Sequence, residues 1–187
     1  LLLNTNVHHR LSASEYNTRR EQCEQGVAWV SEQVPSVQAL RDVTTDMLDR
    51  YVEERDELIY HRCRYVVEEN HRLLQACRDL RKGDIYSLGR RMFETHEGLS
   101  KQFEVSSPEL DFLVDNVKND PAVLGARMIG GGFGGCTINI VREDAIDDLV
   151  NRLTPDYEEQ TGLTLSYYMV SVEEGASVVS KREPVPV

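Results

Sequence analysis

Apolar side chains recur along this chain with two different periods, and the change of period divides it. Leu1-Leu2-Leu3, with Asn4-Thr5-Asn6-Val7 behind it, opens as a short, buried-looking strand. Ser12-Ala13-Ser14-Glu15 has the spacing of a capping box and predicts a helix running to about Gln33, which Pro35 ends. A polar stretch with Thr44 and Thr45 leads into a short turn of helix. From about Arg55 to Arg81, Ile59, Cys63, Val66, Leu73, Cys77 and Leu80 recur at steps compatible with a 3.6 period and predict one apolar stripe. Gly83 then reads as a helix stop and Asp84 as the next cap. The helix that follows carries Ile85, Leu88, Met92, Leu99 and Phe103 on one face. Two long helices joined this tightly predict an antiparallel hairpin.

Ser107-Pro108-Glu109 is a third start signal, with a capping serine, proline at the first helical position and an acid in the first turn. That helix runs to about Asn119-Asp120-Pro121, where the period shifts. Ala122 to Ile129 and Cys136 to Val141 are strand-like and flank a glycine cluster. A helix from Asp144 to about Glu159 places Ile146, Leu149, Val150, Leu153 and Tyr157 on one face, and Leu165 to Val170 alternates as a last strand. The order fits an α+β domain: a ferredoxin-like split βαβ sheet with a helical insertion, about residues 12 to 104, after its first strand. The chain shows no internal repeat and no low-complexity tract.

Composition narrows the function classes. Thirty-two acidic against 21 basic residues leave a formal charge of −11 on 187 residues, a balance that a phosphate backbone repels; nucleic acid is excluded as a broad partner. No apolar run approaches the ~20 residues of a membrane helix. The cysteines, Cys23, Cys63, Cys77 and Cys136, form no C-x-x-C pair, which points to reduced thiols in a cytoplasmic protein and to no metal site. An opening strand at residue 1, without an initiator methionine or leader, predicts a chain cut from something longer, and the end from Arg182 to Val187 reads as a solvated tail.

Five of the 12 glycines fall within six residues: Gly130, Gly131, Gly132, Gly134 and Gly135, around Phe133. Each ordered glycine costs roughly 0.5–1 kcal/mol relative to alanine, more than a simple hairpin requires. Two readings stand: a hairpin tip, or a backbone that must approach another backbone or a phosphate closely. Gly130, Gly132 and Gly135 also satisfy G-x-G-x-x-G, but Cys136 to Val141 is β-branched and alternating where a dinucleotide motif opens a helix. No Lys-Ser/Thr pair follows, so a P-loop is excluded as well.

The stretch from Gly125 to Cys136 resembles the third motif of the GHMP sugar and metabolite kinases in its galactokinase form. Asn4 to His9, Ser14-Glu15-Tyr16-Asn17 with Arg19-Arg20 and Cys23, Arg62 to Asn70, Met92 to Leu99 with His96, and Glu104 to Asp111 are similar to the same family, in its order. Ile129 departs from the usual threonine. The resemblance implies a GHMP kinase C-terminal domain over residues 1 to 187, lacking the N-terminal ATP-binding domain with its serine-rich phosphate motif and catalytic acid. It implies ATP γ-phosphoryl transfer to the C1 hydroxyl of α-D-galactose with Mg2+, both ATP and Mg2+ held mainly by that other domain, and no catalytic residue in this fragment. Kinases for N-acetylgalactosamine or arabinose, and a galactose-sensing regulator without catalysis, share the expected fold.

Single residues divide between chemistry and packing. Tyr16, ordinarily a packing residue with a wet hydroxyl, maps by resemblance onto the tyrosine that hydrogen-bonds the sugar. The five glycines map onto the loop supporting the phosphate site. His8 and His9, adjacent on a strand, point to opposite faces and do not suggest a metal. His96 between Met92 and Leu99 reads as a hydrogen-bonded core histidine, and Cys136 as packing. Arg19 and Arg20 sit near a helix start, where the dipole disfavours cations, so they pair with acids or face the other domain.

Overall fold

The structure is a computed structural model, and it describes residues 1–7, 12–172 and 175. Four strands, β1 (Leu2–Asn4), β2 (Val123–Met128), β3 (Cys136–Val141) and β4 (Ser166–Tyr168), form one antiparallel sheet in the order β2-β3-β1-β4. β1 pairs Leu2 with Ile138 on one side and with Tyr168 on the other. β1 and β2 therefore run parallel with β3 between them, the split arrangement expected from the element order.

The described residues include six α-helices: α1 (Ser12–Ser31), α2 (Thr45–Tyr51), α3 (Glu57–Lys82), α4 (Ile85–Lys101), α5 (Pro108–Val117) and α6 (Ile146–Thr161). Local chemistry sets their starts. Thr44, Asp56, Asp84 and Ser107 each accept a hydrogen bond from a first-turn amide, a cap whose loss costs about 1 kcal/mol. The capping box proposed at Ser12 rests on side chains outside the described residues. α3 and α4 form the expected antiparallel hairpin: Arg91 reaches Asp79, Thr95 donates to Glu69, and Gly98 faces the Tyr65 ring.

The core lies in three parts, the smallest being Val105, Leu110 and Met128. Leu3, Leu113, Val117, Ala126, Leu149, Leu153 and Tyr157 fill the space between one sheet face and α5/α6. Val30, Leu48, Val52, Tyr60, Cys63 and Val67 join α1, α2 and α3 into a second cluster. α4 crosses the sheet's other face at closest range. A Cβ on Gly89 would lie 1.9 Å from the Leu124 carbonyl oxygen, and one on Gly125 would lie 2.3 Å from Gly89 Cα. Only two glycines allow that approach.

The apolar stripe drawn along α3 holds for half its length. Cys63 is buried, but Leu73 and Leu80 are 60% and 57% exposed. They line a groove of about 460 Å3 with Leu88, Met92, Ile138 and Ile140, between α3, α4 and the sheet. β3 also reverses its expected facing: Thr137 and Asn139 are buried, while Ile138 and Ile140 open to that groove. The polar pair is partly satisfied internally, since Asn139 Nδ2 donates to Thr137 Oγ1 at 3.0 Å, while the buried Asn139 Oδ1 accepts from no donor among the described residues. Periodicity alone does not say which face of a two-sided strand the larger core covers.

Candidate active-site loop

β2 and β3 diverge after Met128, and residues 130–135 between them form a loop with backbone few side chains adopt. Gly130, Gly132, Gly134 and Gly135 all have positive φ, and so does Phe133 at 60°. The neck is closed by the Ile129 amide donating to the Cys136 carbonyl at 3.0 Å. Ile129 thus acts through its backbone, and its missing hydroxyl costs the neck nothing.

Both flanks of the loop are tied down. The Thr5 amide and hydroxyl donate to the Gly135 carbonyl at 2.9 and 2.8 Å. The carbonyl of Thr5 in turn accepts from the buried Tyr157 hydroxyl at 2.7 Å, so α6 braces this flank through β1. On the other flank the Phe133 amide donates to the Val105 carbonyl at 2.7 Å. Phe133 packs beside Val105, Leu110 and Met128, so its ring is an apolar peg, not a solvent tip. At Gly132, φ +87°, a Cβ would lie 2.0 Å from the Val105 oxygen. Close backbone approach thus occurs at Gly132, whereas a Cβ on Gly130 or Gly135 would meet nothing within 4 Å and their positive φ is what calls for glycine.

Tyr16 stands on the first turns of α1, 55% exposed, and its ring edge lies 3.9 Å from where a Cβ on Gly131 would sit. A tyrosine this exposed is not serving a core. The structure therefore brings Tyr16 beside Gly131, within the loop that also holds Gly130, Gly132, Gly134 and Gly135. His8 and His9 lie outside the described residues. Among the described residues no group of three His, Cys, Asp or Glu side chains stands close enough to hold a metal ion, and no helix is long and apolar enough to cross a membrane.

Behind this loop sits a polar network. His96, 5% exposed, accepts the Met128 amide at Nδ1 (3.2 Å), which leaves the ring proton on Nε2, 3.1 Å from Asp111 Oδ1. Ser106 and Ser100 donate to the two Asp111 oxygens at 2.6 and 2.8 Å. Burial works to raise the Asp111 carboxyl, but the hydrogen bonds from His96, Ser106 and Ser100 outweigh it and hold the pKa at about 2. His96 is the hydrogen-bonded core histidine expected, and it fixes the end of β2 from which the loop departs. Cys136 is half-buried and burial pushes its thiol up, away from nucleophilic character. All four cysteines are free.

The arginines were not legible in advance. Arg20 is exposed and pairs with Glu24 at 2.7 Å, a contact of small worth. Arg19, 9% exposed, donates from Nε to the Phe103 carbonyl (2.7 Å) and from a terminal nitrogen to the Glu104 carbonyl (2.9 Å). Arg62, 2% exposed, donates to the Gln102 carbonyl and pairs with the Glu104 carboxylate, which that hydrogen bond holds below its ordinary range. An arginine set between Ile59 and Cys63 on a buried stripe is the one sequence sign of such a partner.

Comparison with known proteins places this geometry. Residues 74–159 match the GHMP kinases C terminal family. A galactokinase of Roseiflexus sp. (strain RS-1) is 35% identical over 179 residues, 96% of this chain and 46% of that protein. A galactokinase of Glaesserella parasuis serovar 5 is 38% identical over 186 residues, again 46% of its length. The crystal structure of Lactococcus lactis galactokinase complexed with galactose superposes with a TM-score of 0.83 at 30% identity, over 89% of this chain and 43% of that one. L. major mevalonate kinase, with a TM-score of 0.53 at 23% identity, shares the fold alone. The chain spans a little under half the length of these relatives.

Proposed function

With this chain homologous to the C-terminal portion of galactokinases in the GHMP kinase family, we propose that the full-length protein carrying it transfers the ATP γ-phosphoryl group to the C1 hydroxyl of α-D-galactose. The observation that carries the reading is the rim of this chain, an exposed Tyr16 beside Gly131, in a fold that superposes on a galactokinase complexed with galactose.

Each part has a role in that chemistry. The Tyr16 hydroxyl donates a hydrogen bond to the sugar and helps fix the acceptor's orientation. The glycine loop presents bare backbone to the phosphate-binding region, where any side chain would intrude. ATP and Mg2+ are held mainly by an N-terminal domain that also carries the catalytic carboxylate, and residues 1–187 are the partner domain, working in the cytoplasm. Magnesium neutralises charge on the transferring phosphoryl group, while the protein positions reactants and stabilises the developing charge.

The test is galactose-dependent ATP consumption by the full-length protein, run beside residues 1–187 alone. The full-length protein is expected to turn over galactose faster than N-acetylgalactosamine or arabinose, and the isolated chain to be inactive. Galactose binding without ATP consumption would identify a sensor instead.

A further inference from the structure

Two buried guanidinium groups converge on one short strap of backbone, residues 102–105, that leads from α4 toward α5 and touches the glycine loop through the Val105 carbonyl. Arg19 comes from α1 and binds the carbonyls of Phe103 and Glu104. Arg62 comes from α3 and binds the Gln102 carbonyl and the Glu104 carboxylate. Between them they hold three consecutive carbonyl oxygens, while Glu104 adopts a φ of +52°, a conformation few non-glycine residues accept. A strap so constrained at Glu104 delivers the next residue, Val105, in one orientation. The Val105 carbonyl accepts the Phe133 amide and fills the space that a Gly132 side chain would need.

Arg19 lies three residues beyond Tyr16, on the same turn and face of α1. One side chain therefore connects the two halves of the rim. Through its helix it fixes where Tyr16 stands, and through the strap it fixes where the glycine loop stands. Burying two positive charges is costly unless each donor is matched, and ordinary packing does not require it. Apolar side chains of similar volume would fill both places without a charge.

We propose that Arg19 and Arg62 are positioning residues for phosphoryl transfer: they clamp the 102–105 strap so that the glycine loop and Tyr16 keep a fixed separation across the acceptor site. The role rests on the kinase reading given above. Neither arginine touches substrate. Lysine at either place keeps the charge but replaces a planar, rigid fork with a compact ammonium on a flexible stem, which does not hold two acceptors in the same fixed geometry.

The experiment uses Arg19→Lys, Arg19→Gln and Arg62→Lys in the full-length protein. It reads turnover, the galactose KM, melting temperature, and amide exchange at Phe133 and at Leu153 in α6. Turnover at saturating substrates is expected to fall about tenfold in Arg19→Lys and further in Arg19→Gln, with a rise in galactose KM. Phe133 exchange should quicken in all three variants while Leu153 exchange stays as in the wild type. Folded variants with wild-type turnover and wild-type Phe133 exchange would overturn the clamp. So would exchange that quickens equally at Phe133 and Leu153, the mark of a purely global loss of stability. A wild-type protein without galactose-dependent turnover would remove the kinase reading, and exchange at Phe133 would then decide the clamp alone.

Discussion

Under α5 and α6, Leu3, Leu113, Leu149, Leu153 and Tyr157 are at most 2% exposed and hold the sheet by filling volume. At the far end of β2 and β3, the loop over residues 130–135 is held by carbonyl oxygens, amides and absent side chains, with Phe133 as its only peg. The first region responds to how large a side chain is, and the second to whether one exists. Core stability and loop geometry are therefore set by different residues, and substitutions should separate them.

The largest expected effect is on the volume-filled side. Leu153→Ala should destabilise by roughly 2–5 kcal/mol in a denaturant titration, with turnover per folded molecule unchanged. Gly132→Val tests the opposite region: its side chain meets the Val105 oxygen from a φ of +87°, and a displacement of ~1 Å is expected to lower turnover on the order of 10²-fold. Its melting temperature should fall less than that of Leu153→Ala. Should turnover survive in a folded Gly132→Val protein, the loop would be structural only. Tyr16→Phe is milder, a weakening of galactose binding of roughly 0.5–1.5 kcal/mol with no change in melting temperature. An unaltered galactose KM would return Tyr16 to the structural side of the comparison.

A separate effect lies on the pH axis, at the network behind the loop. The Asp111 pKa is lowered from 3.8 to about 2 in the folded chain, so its contribution is fully present above the ordinary value and is lost as pH falls toward 2. Wild type should therefore be more stable than Asp111→Asn at pH 7, and the gap should close between about pH 4 and pH 2. A gap independent of pH would mean that shape, and not charge, makes the network.

The same contrast explains what could be read without coordinates. Caps at Asp84 and Ser107, the α3–α4 hairpin, the strand order and the burial of His96 follow from spacing, because burial imposes a period and helix ends need acceptors. The glycine cluster announced an unusual backbone, but not that Val105 is what it approaches. Leu73 and Leu80 misled, since an apolar stripe does not state where its partner ends. Arg19, Arg62 and Glu104 stayed hidden because most of the partners are main-chain carbonyls, which every residue carries and no sequence pattern marks, and the one carboxylate that Arg62 meets lies 42 residues along the chain.

β1 occupies the centre of the sheet, yet its partners stand far along the chain, with Leu2 facing Ile138 and Tyr168. Loop closure over such spans is slow, whereas α1, α2 and α3 meet through nearer contacts. Refolding should therefore proceed in two stages, with Trp29 in the helical cluster reporting the earlier one. Fluorescence of Trp29 would settle before backbone signals of the sheet, and simultaneous changes would contradict this order. The rim depends on both ends of that process, since the tie from Thr5 to Gly135 exists only after β1 has docked. A nascent or refolding chain would then complete its helices while its loop is still unmoored, and competence to act would arrive with the last strand pairing.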